Sequence, residues 1–138
     1  METTESPTHS LYSPGQIALA SFLGAPIAAC WFFAHNYRRL GQPRSAVHCL
    51  VWGAVGTVVL FIIAFYLPEH FPSQVIPIGY TVGLLQVAKQ THGVAVADHL
   101  SAGGRLGSWW AVVGISLLFL VVILGVIFGV VLLLPDEK

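Results

Sequence analysis

Residues 109–134 read WWAVVGISLLFLVVILGVIFGVVLLL, 26 positions without one ionisable side chain. A membrane-crossing helix needs ~20 mostly apolar residues at about 1.5 Å of rise each. This stretch meets that requirement with room to spare. The whole chain of 138 residues shares its character, with 56% hydrophobic and 9% charged residues. Soluble domains carry about 25% charge, and so apolar a surface would associate in water. Six bases against six acids exclude a nucleic-acid binder working through a basic face and a highly charged disordered chain. An ordinary cytosolic enzyme is equally disfavoured. The composition is that of a polytopic membrane protein.

Three further stretches qualify as spans. Residues 46–67 carry His48 and Cys49 near their start and are otherwise apolar but for Thr57 and the Tyr66 hydroxyl. Residues 16–34 are apolar apart from Gln16 and Ser21, with an interruption at Gly24-Ala25-Pro26. Val75 to Ala88 is short, so the third helix is expected to start near Pro77 and continue to about residue 97, with Lys89 snorkelling to the interface. The expected fold is all-α, one membrane domain over residues 1–138, a bundle of four transmembrane helices spanning about 16–34, 46–67, 75–97 and 109–134.

Arg38, Arg39 and Arg44 fall between spans one and two, and Lys89 and Arg105 between three and four. The positive-inside rule makes that face cytoplasmic. Glu2, Glu5, Glu69, Asp136 and Glu137 then lie on the opposite face, with both termini outside. Ile27-Ala28-Ala29-Cys30 matches the pattern ahead of a lipidated cysteine, yet residues 1–16 contain no Lys or Arg. A signal sequence needs a positive start, so a retained helix is expected. Cys30 and Cys49 are expected to pack as small residues, unpaired by a disulfide.

Several constellations could carry function. Gly79-x-x-x-Gly83 and Gly125-x-x-x-Gly129 each place two glycines on one helix face. They are expected to pack helices within the bundle, with a homodimer seam as the alternative. Arg38, Arg39, Arg44 and Arg105 point to lipid headgroups or a partner at the cytoplasmic face. Trp109 and Trp110 form the inner aromatic belt beside them. Gly41 and Pro43 demand a tight turn in that Arg-rich loop. Gly103-Gly104-x-x-Gly107 with Arg105 carries a weak suggestion of an anion cradle, and also the stop signal for the third helix. His35, His48, His92 and His99 cluster near the same interface. Their spacing does not fit a metal or haem site, and amphipathic anchoring is the expected role. No metal, cofactor or catalytic residue is assigned.

No acid or base lies deep in a span, where ion coupling or a proton relay would need one. A small four-helix multidrug exporter would need a buried acid in its first span. Quinone-linked disulfide formation would need paired cysteines at the outer face. Intramembrane proteolysis would need Ser-His or Asp-Asp pairs at depth. Tyr80, Thr81, Gln86 and Ser116 are the notable polar groups inside, and they suit interhelical hydrogen bonds.

Gly24-Ala25-Pro26, Asn36-Tyr37-Arg38-Arg39-Leu40-Gly41, and Gly103-Gly104 followed by Ser108-Trp109-Trp110 resemble a set of small uncharacterised four-span bacterial inner-membrane proteins. The resemblance covers Ser13 to about Gly114 and implies a multi-pass protein of the bacterial inner membrane. It implies no activity. The expected function is therefore a non-enzymatic membrane protein that binds or regulates a partner, in one version an immunity protein against a membrane-active toxin. The alternative is a small oligomeric channel or transporter. Expected partners are membrane lipids and a protein or second copy, with no nucleic acid.

Overall fold

A computed structural model describes residues 9–134 of the chain. The order is β1 (Ser10–Leu11), α1 (Pro14–Arg39), α2 (Pro43–Tyr66), α3 (Val75–Ser101), β2 (Arg105–Leu106) and α4 (Trp109–Leu133). The protein is all-helical apart from the two-residue parallel pair β1–β2, in which Ser10 faces Arg105 and Leu11 faces Leu106. By length and composition α1, α2 and α4 could each cross a membrane, with mean hydropathies of 1.9, 2.3 and 3.2 over their most apolar 18-residue windows. The third helix continues through Lys89 as expected, although it starts at Val75 and ends at Ser101, outside the expected bounds near Pro77 and residue 97, and its mixture of Lys89, Gln90, Thr91 and His92 keeps it out of that class. It ends where the glycines allow, with Gly103 at φ 84.

The decisive element is α1. Ser13 caps it through a reciprocal bond pair with Gln16, and Pro14 pre-sets its first turn. At Gly24 and Ala25 the backbone leaves the helix altogether, with φ/ψ of −120/21 and 65/174. The following Pro26 has no N–H, and its ring would strike the carbonyl of the preceding turn. It also bars its neighbour from the helical region. The chain reverses there. In a straight helix Tyr12 and Asn36 would stand about 36 Å apart. Instead the Asn36 amide holds the Tyr12 backbone, accepting from its N–H at 2.8 Å and donating to its C=O at 2.9 Å. α1 is a helical hairpin with both ends at one end of the molecule.

Small side chains make the reversal possible. Ala20, Ala28 and Ala29 are fully buried with Ile17, Phe32 and Phe33 in one core cluster, so the two arms approach closely. α2, α3 and α4 each pack on this hairpin and scarcely touch one another. Their buried residues are Ala46, Gly53 and Thr57 on α2, Ala88, His92, Val96 and His99 on α3, and Val112 and Ser116 on α4. All but Thr57, which lies past the middle of α2 and bonds Ile27 beside the bend, fall at the middle of their helix or in the half nearest the hairpin's ends. The first arm, residues 14–23, rises about 15 Å, roughly half the hydrocarbon thickness of a bilayer.

This corrects two expectations. Residues 16–34 do not form one crossing helix, because the hairpin returns the chain to the end it left. Ser10–Ser13 consequently sits at the same end as the Arg-rich loops, not opposite them. Of the acids assigned to the outer face, Glu2, Glu5, Asp136 and Glu137 lie outside the described residues, as does Lys138.

Candidate functional site

The joined end of the hairpin is a polar latch. Besides the Tyr12–Asn36 clasp, the Gln16 side chain donates to the Gly107 carbonyl at 2.6 Å, and the Gly107 N–H donates to the Leu11 carbonyl at 2.8 Å. The His35 imidazole bonds the Ser10 carbonyl at 3.1 Å, and His99 bonds the Arg105 carbonyl at 3.0 Å. Gln16 and Asn36 are fully buried. In an apolar setting an unpaired amide would be costly, and each of these finds backbone partners. Tyr12 stacks edge-on against Phe32 and His35, with centroids 4.5 and 4.9 Å away. Its burial pushes the phenol pKa up.

The glycine-rich loop after α3 serves this latch. A Cβ on Gly107 would collide with the Tyr12 ring, and one on Gly104 with the His99 ring. The two glycines admit aromatic rings against the backbone. The histidines of the sequence cluster do not converge. His35 and His99 bond separate carbonyls, while His48 is exposed on α2. His92 is buried between Phe33 and Tyr37, centroids 5.3 and 4.6 Å away, with neither ring nitrogen bonded. Among the described residues, no group of three or more His, Cys, Asp or Glu could hold a metal ion. Cys30 and Cys49 are free thiols on facing helices, with the Cys49 Sγ 3.9 Å from the Cys30 carbonyl.

Around the latch lies a basic rim. Arg38, Arg39, Arg44 and Arg105 are all exposed, as are Trp109 and Trp110 at the start of α4. The structure thus brings these six to one end of the molecule, on and beside the two connections α1–α2 and α3–α4, which the latch holds. Gly41 makes the turn between α1 and α2 at φ 78.

The glycine pairs behave otherwise than expected. Nothing lies within 4 Å of where a Cβ would stand on Gly79, Gly83, Gly125 or Gly129. They pack no helix inside the monomer, because the hairpin does not reach their level or their face. The close approaches fall at Gly24, where a Cβ would meet the Ser116 backbone, and at Gly53, where it would meet the Cys30 side chain. Neither belongs to a four-residue glycine repeat.

A groove runs between α2 and α3 beside the hairpin's second arm. Its outer part, about 190 Å³, is lined by Ala25, Pro26, Thr57, Leu60, Ala64 and Tyr80 among others. A more open inner part, about 320 Å³, shares Pro26, Leu60 and Tyr80 and continues to Cys30, Cys49, Gly56 and Leu84. The Thr57 hydroxyl at its floor accepts the Ile27 N–H at 3.1 Å, the first free donor of the second arm.

Comparison with protein-family models, with curated proteins and with solved structures found no match.

Proposed function

We propose that this chain is an integral membrane protein that binds a protein partner at its basic end and catalyses no reaction. In this reading α2, α3 and α4 cross the bilayer of a bacterial inner membrane. The α1 hairpin enters and leaves from one side. The positive-inside rule places the end bearing Arg38, Arg39, Arg44 and Arg105 in the cytoplasm. Ser10–Ser13 is then inside, and α4 delivers Leu134 to the outside. Lys89, exposed on α3, reaches the inner interface along its aliphatic stem.

The observation that carries the proposal is the latch beneath the rim. Contact with anionic headgroups yields about 1 kcal/mol per base wherever the bases sit, and flexible loops suffice for it. Here two buried amides and two imidazoles fix the Arg-bearing segments relative to one another. A fixed pattern of guanidiniums beside exposed indoles suits an acidic protein surface, where geometry decides recognition. The test places a photo-crosslinking residue at Trp110 in cells and compares the parent with a form carrying Arg38→Glu, Arg39→Glu and Arg44→Glu. A discrete protein adduct that disappears with the reversed charges supports the proposal. Adducts to lipid alone in both forms remove it.

The broken hairpin favours a second reading, as an oligomeric channel or transporter. It sets the start of its second arm at mid-depth, as discontinuous helices do at transport sites, and the uncovered glycine faces leave room for a second copy. Solute flux into liposomes holding the purified protein would favour it, and sealed liposomes would count against it.

A further inference from the structure

The two thiols of this chain serve neither the latch nor the basic rim, and the fold sets them against each other. Cys30 stands on the second arm of the hairpin and Cys49 on α2. The Cys49 Sγ lies 3.9 Å from the Cys30 carbonyl oxygen, and each thiol is within hydrogen-bonding reach of the other. Gly53 follows Cys49 by one turn and so shares its face of α2. A Cβ on Gly53 would stand 2.6 Å from both the Cβ and the Sγ of Cys30. The missing side chain lets Cys30 reach the face of α2 that carries Cys49. We propose that this pair is a redox site, at which a hydroperoxide closes a reversible Cys30–Cys49 disulfide. The inference rests neither on a partner at the basic end nor on the bilayer placement.

Exposure sets the order of events. Cys49 is half-buried and Cys30 buried. Both line the open inner part of the groove, beside Trp52, Leu60 and Leu84. Hydrogen peroxide is small and uncharged and can approach through so apolar an opening, whereas a bulky charged oxidant such as oxidised glutathione is held off by the cost of its desolvation. Cys49 meets the peroxide first. Its sulfur takes one peroxide oxygen, the O–O bond breaks, and the departing hydroxide leaves as water with the thiol proton, so Cys49 becomes a sulfenic acid. The Cys30 sulfur then attacks the Cys49 sulfur. The S–S bond forms, the S–OH bond breaks, and a second water leaves with the Cys30 proton. Two thiols have lost two hydrogens, and one peroxide has become two waters. A dithiol reductant restores the free pair. The loop closed by the bond runs from residue 30 to residue 49 and contains Arg38, Arg39 and Arg44. Oxidation therefore ties together the base of the turn that carries three of the rim's four arginines.

The full chain in mild-detergent micelles is treated with hydrogen peroxide and unfolded, and its remaining thiols are blocked with N-ethylmaleimide. Intact mass and peptides are then read by mass spectrometry. The expected product is a monomer lighter by two hydrogens, with residues 30 and 49 cross-linked and both thiols recovered after dithiothreitol. In Cys30→Ser, dimedone should trap a sulfenic acid at Cys49 about fivefold or more above the trapping of Cys30 in Cys49→Ser. Equilibration with reduced and oxidised dithiothreitol measures what the fold adds. The ratio that opens half of the disulfide should be about tenfold or more further to the reducing side for the folded chain than for the chain unfolded in dodecyl sulfate, because the fold already holds the sulfurs together. Two thiols still open to N-ethylmaleimide after peroxide, a bond joining two copies of the chain, or equal ratios for folded and unfolded chains would overturn the proposal. Should the serine variants fail to fold, Cys30→Ala and Cys49→Ala replace them and are judged by the same trapping ratio.

Discussion

Replacing Ala25 by glycine should stabilise this protein, an unusual direction for such a change inside an element of 26 helical residues. Ala25 stands at φ 65 and ψ 174, a region that glycine alone enters freely, and holding another residue there costs about 1–3 kcal/mol. Glycine releases that strain. It also loosens the unfolded chain, which returns about 0.5–1 kcal/mol of the gain. The net expectation is a stabilisation of about 0.5–2 kcal/mol. An unbroken crossing helix would respond with the opposite sign, since alanine to glycine in a helix interior costs about 1 kcal/mol. Ala97→Gly, at an exposed helical position of α3, provides that reference within the same protein. The assay is reversible unfolding in mixed micelles on titration with a denaturing detergent, followed by fluorescence of the four tryptophans. A loss of stability in Ala25→Gly equal to that of Ala97→Gly would refute the hairpin and restore a straight first span.

Ser10→Cys with Arg105→Cys should form a disulfide on mild oxidation, because the two Cα atoms are strand partners. In a four-span protein with an outer N-terminal segment they would be separated by ~30 Å of hydrocarbon, and gel mobility under non-reducing conditions distinguishes the two. Gly53→Ala should destabilise by about 1–3 kcal/mol through its collision with Cys30. Gly129→Ala should leave the monomer as stable or slightly more so, since a Cβ there meets nothing. Detergent unfolding midpoints measured in parallel read both. Asn36→Ala strips the Tyr12 N–H and C=O of their partners and should cost about 2–5 kcal/mol. Asn36→Asp, which keeps the acceptor for the N–H, should cost less than Asn36→Ala in the same measurement.

The parts of this fold that are additive along the chain were legible in its sequence. The hydropathy of α4 and α2, the glycine stop after α3 and the tight turn at Gly41 each depend on a residue and its near neighbours. The Arg-rich rim was legible too, because both Arg-bearing loops follow an odd or even number of crossings together, whichever way α1 runs. What the sequence hid depends on pairs far apart. The most apolar 18-residue window of α1 has the mean hydropathy of a spanning helix, 1.9, and a hairpin buried in protein needs the same apolar surface as a helix facing lipid. A GxxxG spacing states that two glycines share a face, and says nothing about whether another helix covers it. The legible sign of the hairpin was the company kept by Gly24-Ala25-Pro26. Gln16 and Asn36 stand near the two ends of the apolar stretch, each able to satisfy a backbone group that a folded-back chain would bury. A helix crossing a bilayer exposes its two ends to water, and amides there are decoration. In a hairpin the two ends meet, and the amide of one must serve the backbone of the other. That requirement explains why Asn36 bonds Tyr12; Gln16 ties the same end to the loop before α4, at Gly107. It also explains why the same loop carries glycines where rings, rather than anions, press against the chain.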